Sequence, residues 1–126
     1  RHTRLPLVSW ARSVYKRQEI VPIENCMGGE GTVRMQKLLD APAEMLGKGR
    51  AYVRHVLEPG VSIGMHTHQG EMESMVLVSG KAIHIINGEE QHLESGDIIA
   101  AMPGDTHGIA CEGEEPLILI AQVLYE

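Results

Sequence analysis

From Ala51 onward, short apolar runs are cut every eight to twelve residues by turn-forming residues, at Pro59-Gly60, Gln69-Gly70, Gly80, Asn87-Gly88, Ser95-Gly96-Asp97, Pro103-Gly104-Asp105 and Gly113. Runs of that length suit strands and are too short for stable helices, so this part of the chain is confined to an all-β sandwich or barrel. Asn87-Gly88 is the sharpest of these signals. A two-residue type I′ hairpin turn needs positive φ at both central positions, and asparagine followed by glycine tolerates that best. At 126 residues the chain has material for one core and not for two. The β-pattern divides it into an N-terminal arm, residues 1–48, packing on the same domain or on a dimer partner, and a β-core over residues 49–126.

Four residues of that core carry metal chemistry. His66, His68, Glu73 and His107 together offer three imidazoles and a carboxylate, a complete ligand set for a divalent ion. Side chains at i and i+2 of a strand project to one face, so His66 and His68 form a chelate by strand geometry alone. Gln69-Gly70-Glu71 then reads as a turn, and an antiparallel return brings Glu73 to the same ion.

The glycines around these residues extend the pattern. Gly60, His66, His68, Glu73 and Gly80 fill every defined position of a motif written Gly, five residues, His-x-His, four residues, Glu, six residues, Gly. Gly96, Gly104 and His107 stand in register with a second motif. In this the chain resembles the cupin superfamily, and specifically its small single-domain members, with Met102 in place of the second motif's proline and Cys111 where the family often has asparagine. The resemblance implies a cupin-type jelly roll, one divalent metal ion per chain, a small-molecule ligand and a homodimer. The stretch Met27-Gly28-Gly29-Glu30-Gly31-Thr32-Val33 is also similar to the lead-in of a group of small cupins.

Strand parity predicts what surrounds the ion. His66 carries Ser62 and Gly64 to its own face, where their small size would leave space for a ligand; Glu73 carries Met75 and Leu77, and His107 carries Ile109 and Cys111. The expected cavity is apolar and sulfur-rich, with Met75, Met102 and Cys111 as candidate substrate contacts, although methionines also adapt to fill core volume. Arg54 is a candidate clamp for a substrate carboxylate. It adjoins His55, and only one of the two can enter the cavity. Glu71, two residues before Glu73, is an alternative ligand or a general base; a solvated turn carboxylate is the ordinary case. His84 and His92 lie outside both motifs and read as exposed or structural. The opposite strand faces carry Ile63, Met65, Met72, Val76 and Val78, and a second copy of the chain would cover them.

Other classes are disfavoured. A net charge of −6 with no basic stripe argues against nucleic acid or an anionic membrane surface as partner. No apolar run approaches a membrane span. Three tyrosines, one tryptophan and no phenylalanine make an aromatic sugar platform a poor expectation. Cys26 and Cys111 are expected to be reduced thiols, in keeping with a cytoplasmic compartment. Residues 1–19, with Arg1, Arg4, Arg12, Lys16 and Arg17 against Glu19, show no period, and their start reads as either processed or artificial. The run from Asn25 to Thr32 is a glycine-rich turn rather than a phosphate loop, because it lacks the closing lysine and hydroxyl residue. Val33 to Glu44 holds one helical turn or a short strand.

The chemistry follows from coordination number. Four protein donors leave two adjacent positions of an octahedron open, which suits Mn, Fe, Ni or Co; tetrahedral Zn would have its positions filled. The expectation is an enzyme acting on a small carboxylate, keto or hydroxy compound bound to the metal, by lyase, isomerase, decarboxylase or dioxygenase chemistry. The alternative is a non-catalytic, metal-dependent binding or sensing module.

Overall fold

The computed structural model describes residues 18–40 and 42–126. The basic residues of the arm, Arg1 to Arg17, lie outside the described residues. Ten strands follow in chain order: β1 (Ile20–Glu24), β2 (Thr32–Lys37), β3 (Gly49–Leu57), β4 (Ser62–Thr67), β5 (Glu71–Ser79), β6 (Lys81–Ile86), β7 (Glu89–Glu94), β8 (Ile98–Ala101), β9 (Thr106–Glu112) and β10 (Leu117–Tyr125). Two single 3-10 turns, Cys26–Gly28 and Ala43–Met45, interrupt the first third. The strands form two antiparallel sheets, six-stranded in the order β1-β2-β3-β10-β5-β8 and four-stranded in the order β4-β9-β6-β7. The expected short strand after Val33 is β2.

Alternation sets the core. On β10, Leu117, Leu119, Ala121 and Val123 are buried while the residues between them are half-exposed, and on β5 Glu73, Met75 and Leu77 point the same way. Leu117, Leu119, Ala121, Met75 and Leu77 meet Val53, Leu57, Val61, Ile63, Ile99 and Ile109 in one cluster between the sheets. Losing a buried leucine such as Leu77, 1% exposed, costs about 2–5 kcal/mol because the cavity left behind collapses only in part. The hairpin between β6 and β7 turns at Asn87 and Gly88 with φ of 50° and 82°, as the type I′ geometry requires.

One register shift corrects the parity expected for β4. Ile63 pairs with Ile109 and His66 with His107, so three steps along β4 oppose two along β9. The extra residue is a β-bulge, and it reverses the strand's faces at Gly64 and Met65. Ile63 therefore faces the core, at 6% exposure, rather than outward. Gly64 does not leave room for a ligand either. A Cβ there would strike the carbonyl oxygen of Met27, and one on Gly29 would strike that of Ser62. The glycines let the backbone of the 3-10 turn lie directly on β4. Paired hydrogen bonds between Ser62 and Glu30, from the Ser62 N–H to the Glu30 carbonyl and from the Glu30 N–H to Ser62 Oγ, both 2.9 Å, hold it there. The glycine-rich segment is a turn, as its sequence indicates.

Candidate metal centre

Three strands supply the four donors. His66 is the penultimate residue of β4 and His68 follows that strand; Glu73 lies near the start of β5; His107 lies near the start of β9. The turn before β9 ties these pieces together. Gly104, with φ of 95°, donates its N–H to the His68 carbonyl at 2.7 Å, and the His68 N–H donates to the Asp105 carbonyl at 3.1 Å. Asp105 in turn accepts from Asn87 Nδ2 and the Met102 N–H. The spacing of the second motif thus fixes His107 against His68 through backbone bonds that only this turn can make.

The donor atoms converge. Glu73 Oε1 is 3.0 Å from His68 Nε2 and 3.1 Å from His107 Nε2, and those two nitrogens are 3.1 Å apart. His66 Nε2 lies 3.9 Å from the same oxygen, and all four ligand atoms fall within 4.8 Å of one another. With metal–donor bonds of about 2.1 Å, neighbouring donors of an octahedron sit about 3.0 Å apart, opposite ones about 4.2 Å, and tetrahedral ones about 3.4 Å. Glu73, His68 and His107 have the spacing of three octahedral neighbours, and His66, at 3.9 Å from Glu73 Oε1, falls between the tetrahedral and the opposite-position spacings. The residues fit a divalent ion, and six-coordination would leave two positions over.

The far side of each ring fixes which nitrogen is free. His66 Nδ1 donates to the Gly64 carbonyl at 2.7 Å. His68 Nδ1 donates to Glu71 Oε2 at 2.7 Å, and Arg50 donates twice to the same carboxylate, from Nε and NH2 at 2.7 Å each. His107 Nδ1 is 2.9 Å from His84 Nε2, and His84 Nδ1 is 3.2 Å from Gln91 Oε1. At His66 and His68 an acceptor-only partner directs Nδ1–H outward and leaves the Nε2 lone pair for the cluster, and the same holds at His107 when its Nδ1 donates to His84 Nε2, the arrangement that partners of metal-binding histidines generally enforce.

The electrostatics agree. Burial alone would raise the pKa of Glu73, but hydrogen bonds with His107 and His66 and the field of His107 and His68 overcome it and hold the carboxylate well below its ordinary range. The neighbouring Glu73 carboxylate raises the pKa of His66 against the opposing effect of burial. Arg50, opposed by burial and aided by His68, pulls Glu71 down to about 2. Burial lowers the pKa of His84, so its ring is neutral, and does the same to His55.

Several of the expected roles change. Glu71 lies outside the four converging donors, and both its oxygens are engaged, by Arg50 and by His68 Nδ1. Arg54 lies on the outer face of the six-stranded sheet, in a groove with Arg34, Gln36, Val56 and Ile118, so it does not clamp anything at the cluster. The inward residue of that pair is His55, whose Nδ1 is buried with no hydrogen-bond partner. Cys111 donates its thiol to the Glu115 carbonyl at 3.2 Å, at the end of β9 away from His107. Met102 is 51% exposed in the turn after β8, whereas Met75 is buried in the core two residues beyond Glu73. His84, 1% exposed, belongs to the site; His92 is exposed between Glu90 and Glu112.

Sequence reasoning missed Arg50, His84 and Gln91 as supports of the ligands, and also Cys26. This half-buried thiol, on the turn that covers β4, has its pKa raised first by burial and then by the charge of Glu73. The one available signal was the alternation Ile83-His84-Ile85, which places His84 on the inner face of β6 beside Ala82.

Known proteins share both the fold and its length. The chain is 34% identical to the oxalate-binding protein of Thermotoga maritima over 113 residues, which cover 88% of this chain and 93% of that one. A crystal structure of a predicted oxalate decarboxylase from Thermotoga maritima superposes with a TM-score of 0.84 at 31% identity, over 86% of this chain and 94% of the other. A cupin-like protein of the same organism, at 21% identity, shares the fold with a TM-score of 0.69, over 90% and 81% of the two chains. The Cupin domain profile matches residues 53–123, a span that holds all four converging donors, and the chain belongs to the cupin family.

Proposed function

We propose that this cupin binds a small oxalate-like dicarboxylate on a divalent metal ion held by His66, His68, Glu73 and His107. The observation that carries the reading is the convergence of four donors, three of them spaced as octahedral neighbours; six-coordination of an ion there would leave two positions for the two carboxylate oxygens of one short ligand. A bound divalent ion would supply Lewis-acid charge to that anion. The chain's own residues do the rest: Gly64, Glu71 and His84 orient the three rings, while Arg50 and Glu71 hold His68 from the solvent side. His55 and Cys26 both feel the charge of Glu73. The names of the Thermotoga relatives, one an oxalate-binding protein and one a predicted oxalate decarboxylase, support the same ligand class.

Titration calorimetry of protein loaded with Mn(II) tests the reading, with oxalate, malonate and acetate compared in metal-loaded and metal-free samples. Oxalate binding that requires the metal and exceeds acetate binding is the expected result. Equal heats with and without metal would refute it. Turnover is the second reading, favoured by the decarboxylase relative; release of formate or carbon dioxide from oxalate by the loaded protein would establish it. The homodimer is retained as a proposal. Met65, Ile83, Ile85 and Ala110 border an apolar groove on the outer face of the four-stranded sheet, and the mass in solution decides it.

A further inference from the structure

Arg54 has no task at the cluster, because strand parity turns it away from the inner face that His55 occupies and onto the outer face of the six-stranded sheet. There Gln36 stands opposite Arg54, and Arg34 stands opposite Val56, which in turn opposes Ile118. These side chains line a groove of about 280 Å3. The two arginines occupy diagonal positions on neighbouring strands, about 7–8 Å apart. Like charges so placed repel unless each has an anion. Arg34 has one, since its Nη2 donates to Glu58 Oε2 at 2.7 Å. Arg50 is likewise paired, with Glu71, and among the described residues Arg54 is the arginine with no side-chain hydrogen bond or ion pair. It is nevertheless half-buried, which strips water from a charged group and puts nothing in its place. Beside it Gln36, 7% exposed, is fixed by donating Nε2 to the Gln18 carbonyl at 2.8 Å. The remaining walls are apolar, from Ile20, Val56 and Ile118. The groove thus combines a rigid polar floor, hydrocarbon sides and one unspent cation.

We infer that this groove is a second ligand site, on the face of the sheet opposite the metal centre, and that it takes a small monocarboxylate carrying an aliphatic or aromatic body. The planar guanidinium of Arg54 holds both carboxylate oxygens, and the body lies on Ile20, Val56 and Ile118. Glu58, already on Arg34, occupies the other cation and leaves room for one negative group. A short dicarboxylate without hydrocarbon therefore suits the metal centre and not the groove. The inference stands independently of the metal reading.

Backbone 1H–15N correlation spectra of the full chain, with and without diamagnetic Zn(II), test the inference by titration with hexanoate. Saturable shifts centred on Gln36, Arg54, Val56 and Ile118 are expected in both samples. Hexanamide has the same body without the charge, and inorganic phosphate has charge without the body, so each should bind about tenfold more weakly or worse. Arg54→Gln should weaken hexanoate about tenfold to a hundredfold and leave Mn(II) affinity at the parent value. Arg54→Lys should recover only part of the loss, because an ammonium cannot form the two-pronged contact. Phosphate binding as tight as hexanoate binding would overturn the ligand class and leave a plain anion contact. Unchanged hexanoate affinity in Arg54→Gln, or shifts confined to the loops around His66 and His107, would overturn the site. So would the absence of any saturable shift in the groove; if the mass in solution also halves in Arg54→Glu, a second copy of the chain is what fills it.

Discussion

The two side-chain arms behind the ligands do the same geometric task with opposite electrostatics. Behind His68 stands an ion pair, Arg50 to Glu71, with the arginine 43% and the carboxylate 13% exposed. Behind His107 stands a buried neutral ring and an amide. An ionised carboxylate fixes its neighbour's tautomer unconditionally, whereas a neutral chain fixes it only relative to its own far end. The charged arm also makes His68 a stronger donor, because a negative partner adds electron density to the ring. One ligand is therefore held by a charge and the other by a neutral chain.

The largest expected effect comes from removing what the two arms share. Glu73→Gln takes away the charge on which His68 and His107 both converge, and Mn(II) affinity should fall by about two orders of magnitude or more. Equilibrium competition with a chelator measures it. If affinity falls less than for Glu71→Gln, Glu73 is not the central donor. Glu71→Gln breaks the lock but retains an acceptor oxygen, so a drop of about tenfold to a hundredfold is expected. Arg50→Met removes only the outer half of the same arm and should cost less than Glu71→Gln. The reverse order would show that Arg50 acts on the site by a route other than Glu71.

How much of this could be read from the chain depends on sequence distance. His66, His68, Glu73 and His107 were legible because turns of fixed length and strand parity determine where they point. The type I′ hairpin at Asn87-Gly88 was legible for the same reason. The bulge in β4 was not: it exists because the turn around Cys26–Gly28 lies on Gly64, an approach made by residues more than 30 positions earlier. Arg50 and Glu71 sit on strands that are neighbours of β10, not of each other, and their meeting depends on the order of a sheet assembled from both ends of the chain. His84 reaches His107 because β6 pairs with β9 across an intervening hairpin and a strand of the other sheet. Local pattern names the ligands; non-local topology names their partners.

Gly64→Ala tests that dependence. The added methyl would meet the Met27 carbonyl, a backbone atom that cannot rotate away, and the Gly64 carbonyl is the acceptor that orients His66. Overpacking of this kind costs about 1–3 kcal/mol. Thermal unfolding of the metal-free variant should show that loss, accompanied by weaker metal binding through His66. A variant as stable as the parent would mean that the turn on β4 moves aside freely.

The smallest effect separates the charged arm from the neutral one by pH. Glu71 has a folded-state pKa of about 2, below the value of about 4.3 expected for an unfolded glutamate. A group whose pKa is depressed by folding stabilises the native state above the unfolded value and loses that contribution as pH falls toward the folded one. In metal-free protein the Arg50–Glu71–His68 arm should therefore contribute fully above about pH 4.3 and fade between about pH 4 and pH 2. The ceiling implied by the shift is about 3 kcal/mol, and screening at the exposed arginine reduces the expectation to about 1–2 kcal/mol. Urea unfolding across that range, for the parent and for Arg50→Met, isolates the contribution as the difference between the two curves. The difference should shrink on acidification, since the guanidinium loses its partner when Glu71 takes a proton. A difference that stays constant to pH 2 would mean that Arg50 stabilises the protein by packing its stem, and that the lock on His68 is the carboxylate alone.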